Sequence, residues 1–160
     1  MLRLSTVIFL GIPLSLLLSS CDSQKQQNDF VDDAGRPPSG FTSTDADGIV
    51  VSEDEDDWRT APIYFGKVRI DPAYPNPSFG QFVTVPVSIQ EFNAIQGGLV
   101  LRASGGDGRL LLLAEILNAS QPGAYILRFS PAILGRTGLI RLLIFDRLGE
   151  LVSYGDIKIQ

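Results

Sequence analysis

The sequence predicts an all-β domain, a two-layer sandwich of about seven short strands, that follows an acidic segment without regular structure. Two observations carry this prediction. From residue 63 onward, short apolar runs are separated by glycine- and proline-bearing turns, a pattern typical of many short strands. Before residue 58, polar and like-charged residues show no sustained apolar periodicity. The folded domain is therefore expected over residues 58–160.

The clearest strand covers residues 82–89, where Val83, Val85, Val87 and Ile89 recur at every second position. Pro86 has no N–H to donate, so this strand is expected at a sheet edge or at a bulge. Further strands are predicted at residues 63–70, 99–103, 109–116, 125–129, 138–145 and 151–159, the last two joined by a hairpin-like turn. This count and spacing are typical of an immunoglobulin- or fibronectin-III-like sandwich.

Residues 1–20 have the pattern of an export signal: Arg3 provides a positive start, and an apolar run of twelve residues follows from Val7. A membrane-spanning helix needs about 20 apolar residues. The run ends at Leu18-Ser19-Ser20-Cys21, which contains the only cysteine of the chain. These four residues resemble the lipobox of bacterial lipoproteins, in which the cysteine is acylated and becomes the first residue of the mature protein. The resemblance implies attachment to a bilayer through Cys21, and it leaves the inner and the outer membrane both open.

Residues 21–57 are expected to form a lipid-anchored, disordered acidic linker. Residues 22–57 hold eleven acidic and two basic side chains, whereas residues 58–160 hold ten basic and seven acidic ones. Such a segment buries too little apolar surface to offset the entropy of ordering the chain. Its charge also argues against nucleic acid as a partner, because phosphates would be repelled.

One part of this linker partly follows a calcium-binding loop. Asp45, Asp47 and Gly48 fall at the third, fifth and sixth positions of such a loop when it is counted from Ser43. The first position is a serine instead of an acid, and the last is Asp54 instead of glutamate. A solvated acidic linker is therefore expected here, and whether this segment binds anything stays open.

A second resemblance covers about residues 64–160. Tyr74-Pro75-Asn76-Pro77 is similar to the "YPNP" entry of the immunoglobulin-like carboxy-terminal modules of Bacteroidota and related phyla, among them type IX secretion sorting domains and flagellar-hook-scaffold-like domains. Gly123-Ala124-Tyr125 and Lys158-Ile159 follow in the order found in those modules. The resemblance implies an immunoglobulin-like domain. The residues before the first hairpin glycine, Ala103-Ser104, depart from the family pattern.

The composition excludes several kinds of chemistry. The chain has no histidine and a single cysteine, so Ser-His-Asp and Cys–His catalysis and Cys/His zinc clusters are excluded. The glycine-rich residues 105–108 are followed by a strand-like apolar run and not by a helix. This indicates a hairpin turn and not a phosphate loop. No catalytic residue, metal ligand, cofactor or small-molecule substrate is predicted.

The runs at 109–116 and 138–145 are apolar at odd and even positions alike. A sandwich buries one face of each sheet, so half of these side chains must point away from the core. If Leu110, Leu112 and Ala114 belong to the core, the outward residues, and the candidate contact surface, are Leu111, Leu113, Leu139 and Leu143. Coverage by the linker or by loops and contact with a partner both remain open.

These observations favour a membrane-anchored cell-envelope lipoprotein that presents a non-enzymatic β-sandwich for contact with an envelope protein or for assembly. The first alternative is a carbohydrate-binding envelope module, since sandwiches often serve that role. The second is an enzyme that uses neither histidine nor cysteine, which would need acidic side chains clustered in a cleft.

Overall fold

The computed structural model describes residues 18–105 and 108–160, without the side chains of residues 18–21. The export signal predicted for residues 1–20 therefore lies almost entirely outside the described residues. The described chain is mostly β, which confirms that part of the prediction. In chain order its elements are α1 (Leu18–Ala34), β1 (Ser43–Thr44), β2 (Val50–Ser52), β3 (Val68–Ile70), β4 (Val83–Ile89), β5 (Leu99–Ser104), β6 (Leu110–Ile116), β7 (Gly123–Phe129), β8 (Gly138–Asp146) and β9 (Leu151–Ile159).

The strands form three antiparallel sheets. β1 and β2 make a small hairpin, β3-β4-β7 make a three-stranded sheet, and β6-β5-β8-β9 make a four-stranded sheet. Residues 63–70 were expected to be one strand, but residues 62–64 form a 3-10 turn and only β3 is extended. Pro62 and Pro131 each begin a 3-10 turn, at a position where a missing N–H costs nothing.

β4 shows the predicted alternation, with all four apolar residues of the repeat buried. The expectation that Pro86 marks an edge strand is wrong, because β4 lies between β3 and β7. The explanation is that β3 is short. Its ladder ends at Ile70 opposite Val87, and the backbone of Pro86 faces the β3 side beyond that end, because its carbonyl accepts the N–H of Asp71. The missing N–H of Pro86 therefore breaks no ladder.

The core lies between the two larger sheets. Its largest fully buried side chains include Leu99 and Leu101 of β5 and Ile140, Leu142 and Ile144 of β8. At one end, the segment after β2 runs beside β9: the N–H of Trp58 donates to the carbonyl of Tyr154, and that of Ala61 to Val152. The indole of Trp58 is buried against Gly155, where any Cβ would overlap the ring. Glycine at this position therefore makes room for the indole.

The prediction that residues 22–57 lack regular structure is wrong. α1 covers most of the first half, and its Phe30 and Ala34 are buried. Phe30 packs against Tyr154 of β9, with ring centroids 5.1 Å apart. The segment has too few apolar residues to form a core of its own. It is ordered because α1 buries two apolar side chains against the sheet.

The rest of that segment is also tied to the sandwich. The N–H of Thr44 donates to the carbonyl of Asn76 at 2.8 Å, and the N–H of Thr42 donates to the carboxylate of Asp57 at 2.7 Å. The side chains of Thr42 and Thr44 are buried. The packed unit thus extends well before residue 58, where the sequence places its boundary.

Candidate functional site

Cys21 lies in the first turn of α1, and its side chain is outside the described residues. α1 continues from this position to Ala34, where its last turn lies on the outer face of the four-stranded sheet. Within residues 18–105 and 108–160, no helix is both long and apolar enough to cross a membrane.

The end of α1 is held by Arg141 of β8, a charged residue inside an apolar strand. Its guanidinium forms a two-point ion pair with Asp156 of β9, with Nε–Oδ1 at 2.7 Å and Nη2–Oδ2 at 2.8 Å. Its Nη1 donates to the carbonyls of Asp33, Ala34 and Arg36, at 2.8, 3.4 and 3.1 Å. Both members of the ion pair are almost fully buried.

This contact explains the ending of the helix. The last carbonyls of a helix have no partner within it, and together they carry partial negative charge. The guanidinium satisfies these carbonyls and compensates that charge, while Asp156 neutralises the guanidinium. Arg141 also lies over the ring of Tyr154, 4.7 Å from its centroid. We call this group, Arg141 with Asp156 and the carbonyls of residues 33–36, the helix clamp.

Asp57 lies beside the helix clamp. Its carboxylate accepts N–H bonds from Thr42 at 2.7 Å and from Asp156 at 3.0 Å. Burial raises the pKa of Asp57 to about 7, although these two N–H donors oppose the shift; the nearby charge of Asp156 adds to it. Asp57 and Asp156 are thus occupied by contacts within the fold, and they hold the amino-terminal segment on the sheet.

The exposed leucines of β6 form an apolar strip at one edge of the four-stranded sheet. Leu110, Leu111 and Leu112 are 43, 40 and 48% exposed, although they are consecutive in one strand. Among the described strands, β6 is the last on its side of the sheet and pairs only with β5. An apolar strand at a free edge is a site at which another strand can add.

The predicted orientation of these leucines is wrong for the first half of β6. Leu111 pairs with the core residue Ala103, whereas Leu112 pairs with Arg102 on the outer face. The register shifts between Leu101 and Arg102 of β5, so β6 carries one extra residue there. A bulge reverses the alternation, so Leu110 and Leu112 point outward and Leu111 points towards the inter-sheet side. Leu113 lies at the bulge and is partly buried.

Leu139 and Leu143 lie on the outer face of β8, as predicted, and β8 shares its sheet with β6. Leu143 is only 8% exposed, and Leu139 is half-buried. Together with Leu110 and the turn at residues 34–38 they line a groove of about 560 Å³. The structure therefore brings Leu139, Leu143 and Leu110 together, while Leu111 and Leu113 lie outside this groove.

A second cleft lies beside the Tyr74-Pro75-Asn76-Pro77 turn, in which both peptide bonds before proline are cis. It has a volume of about 510 Å³ and is lined mainly by the rings of Tyr74, Phe79 and Phe82, both prolines and Arg128. Phe79 and Phe82 are 65 and 55% exposed, and the guanidinium of Arg128 lies 4.7 Å from the Phe82 centroid. We call this the aromatic cleft.

Asn76, in contrast, is completely buried and faces inward. Its Nδ2 donates to the carbonyls of Thr42 and Asp156, at 2.7 and 3.0 Å, and its Oδ1 accepts the N–H of Lys158 at 2.9 Å. The asparagine of this turn therefore joins the amino-terminal segment to the last strand. Sequence reasoning missed this role, as it missed Arg141, although a lone arginine in an apolar run was a visible signal of a buried ion pair.

The calcium-loop-like segment forms the turn of the β1–β2 hairpin. Oδ1 of Asp45 accepts the N–H groups of Asp47 and Ile49, both at 2.9 Å, and Gly48 has a φ of 86°. Asp45 and Gly48 thus have the structural roles that such a turn requires. No group of three or more metal-ligating side chains occurs in the described parts of the chain.

Comparisons with known proteins provide no relative: no family model, curated protein or solved structure matches the chain significantly.

Proposed function

We propose that this chain is a lipid-anchored cell-envelope protein whose immunoglobulin-like sandwich serves protein–protein contact and not catalysis. The observation that carries the contact role is the free edge of β6, with three consecutive exposed leucines in an otherwise well-packed sheet. The lipobox at residues 18–21 supports the anchor. The division into the sheets β3-β4-β7 and β6-β5-β8-β9, joined by hairpins and crossing connections, supports the immunoglobulin-like assignment.

In this proposal the domain lies close to the membrane. The acylated Cys21 would be the first residue of the mature chain, and Ala34 at the other end of α1 lies against the helix clamp. The helix between them spans about 20 Å, at about 1.5 Å per residue. A docked helix thus replaces the long flexible spacer expected from composition.

The anchor is tested by Cys21→Ser, with Ser23→Ala as the matched control, since it leaves the lipobox intact. We expect the control to fractionate with membranes and to incorporate labelled fatty acid, and Cys21→Ser to do neither, because stable attachment depends on the acyl chains. Processed Cys21→Ser protein that still pellets with membranes would contradict the anchor.

The contact role is tested with Leu110→Ser combined with Leu112→Ser. Both side chains point outward, so we expect the fold to be kept and chemical cross-linking in native membranes to lose its principal product. The control combines Phe92→Ser with Leu148→Ser, which removes two apolar side chains, 72 and 76% exposed, elsewhere. A cross-linking pattern that is identical in both double variants and in the unchanged chain would argue against contact through β6.

A carbohydrate-binding module is the second candidate, and the aromatic cleft favours it. Three rings and an arginine beside one of them offer stacking surfaces and a hydrogen-bond donor. Saturable binding on a glycan array by the whole chain, abolished by Phe79→Ala with Phe82→Ala, would favour this candidate over protein contact.

A further inference from the structure

We infer that the occupant of the free β6 edge is a second copy of this chain, whose β6 pairs antiparallel with the first about a two-fold axis at Leu111. This inference rests on the proposed function and names the partner at its contact surface. The two four-stranded sheets would become one continuous sheet of eight strands.

The ladder shows which backbone groups β6 offers. The N–H of Gly105 donates to the carbonyl of Arg109, so these two residues form a hydrogen-bonded pair at the end of the β5–β6 ladder. Hydrogen-bonded and non-hydrogen-bonded pairs alternate along an antiparallel ladder. Leu111 therefore directs its polar groups to β5, opposite Ala103, whereas Leu110 and Leu112 direct theirs to the free edge. Two adjacent copies would exchange four hydrogen bonds between these residues.

The side chains fit the same register. With Leu111 opposite Leu111, Leu110 of each copy lies opposite Leu112 of the other, and both are outer-face residues. Four leucines would then meet on one face and two on the other. Each of these leucines is at least 40% exposed in the single chain, so the pairing would bury them together.

The charges of β6 disfavour a parallel copy and permit an antiparallel one. β6 is uncharged from Leu110 to Ala114 and is flanked by Arg109 at one end and Glu115 at the other. With Leu111 at the axis, Arg109 lies opposite Leu113 and on the other face from Glu115, so the residues that pair are uncharged; parallel pairing in register would place Arg109 beside Arg109 and Glu115 beside Glu115. The ion pair between Glu115 and Arg147 spans 3.4 Å and is half-exposed, so it leaves the leucines uncovered.

The other edges of the two larger sheets differ from β6. The free side of β9 is covered by the chain itself, through the bonds of Trp58 and Ala61 and the bridge between Thr60 and Ser153. β7 is also an edge strand, but it carries Arg128, and a charged side chain discourages strand addition. β3, the remaining edge strand, is only three residues long, so among the edges of the described larger sheets that of β6 combines an apolar sequence with an uncovered ladder.

The register is tested by cysteine cross-linking of the full chain in a Cys21→Ser background, so that each introduced thiol is the only one in its chain. In the proposed register the Leu111 pair is a non-hydrogen-bonded pair with Cα atoms about 4.5 Å apart, within disulfide range. We expect Leu111→Cys to give a disulfide-linked dimer under mild oxidation. Leu112→Cys alone should cross-link at least tenfold more slowly, but it should react readily when mixed with Leu110→Cys.

A second variant separates pairing from folding. Leu112→Pro removes an N–H that faces the free edge and leaves the ladder to β5 intact, so we expect a folded chain that sediments as a monomer. Leu111→Pro, the matched control, removes a bond to β5 and should destabilise the fold. The self-pairing would be overturned if the unchanged protein were monomeric at membrane-like concentration. Equal cross-linking of cysteines at positions 110, 111 and 112 would also overturn it.

Failure of the inference can be told apart from failure of the proposed function. If Leu111→Cys forms a disulfide only with a different protein, the contact role stands and the second copy is wrong. If no dimer forms and the serine variants of β6 change no cross-link, both are wrong. The result for Cys21→Ser in the fractionation test is independent of either outcome.

Discussion

Replacing Arg141 by methionine is expected to lower the free energy of unfolding by about 3–5 kcal/mol, because it leaves the buried carboxylate of Asp156 without its counter-charge. The same change removes the donor to the three carbonyls at the end of α1. We therefore also expect the amino-terminal segment to detach, so that chymotrypsin cleaves after Phe30, which is buried in the docked helix, faster than in the unchanged chain. Urea denaturation and limited proteolysis measure the two effects.

The matched control for Arg141→Met is Arg69→Met. Arg69 also forms an ion pair, with Asp71 at 2.6 Å, but its side chain is 69% exposed. Exposed ion pairs contribute about 0–1 kcal/mol, so this variant should unfold almost like the unchanged chain. Equal, small losses in both variants, with unchanged cleavage after Phe30, would show that the helix clamp does not hold α1.

Replacing Asn76 by alanine is expected to cost about 3–5 kcal/mol. The side chain makes three hydrogen bonds in a fully buried place, and its removal leaves two carbonyls and one N–H of the main chain unsatisfied. The unpaired groups lie at Thr42, Asp156 and Lys158, so the amino-terminal segment and the end of β9 should loosen together. Hydrogen exchange at Lys158 and urea denaturation measure this.

Asn118→Ala provides the comparison for Asn76→Ala. Asn118 caps a surface turn, accepting bonds from the N–H and the hydroxyl of Ser120 in an exposed place. Water can replace these partners, so we expect a loss below about 1 kcal/mol. Similar losses for the two variants would mean that Asn76 does not join the segments as its contacts indicate.

Two elements of the fold were predictable from the sequence alone. The alternation in β4 depends on which side chains are apolar and on the period of an extended chain, and both are properties of the sequence. The β8–β9 hairpin was also predictable: the carboxylate of Asp146 accepts the N–H groups of Leu148 and Glu150, and Gly149 has a φ of 95°. Such turns depend on residues within a few positions of one another.

Features that depend on distant partners were not predictable. α1 has few apolar residues, and its packing depends on a ring in β9 and on an arginine in β8, which the sequence does not place beside it. The bulge in β6 was equally hidden, since an unbroken run of leucines offers no marker for an extra residue, and it reversed the predicted orientation of Leu111.

By itself, then, the sequence determined a mostly β domain, its strand alternation, its hairpin turn and the absence of histidine, which excludes Ser-His-Asp and Cys–His catalysis. These properties follow from residue type and short-range spacing. Only the tertiary structure decided that the acidic segment packs on the sheet, that Arg141 and Asn76 hold it there, and that β6 keeps a free apolar edge. The physical reason is that burial and hydrogen-bond partnership belong to pairs of residues, many of which lie more than 80 positions apart in this chain, as Arg141 and Asp33 do.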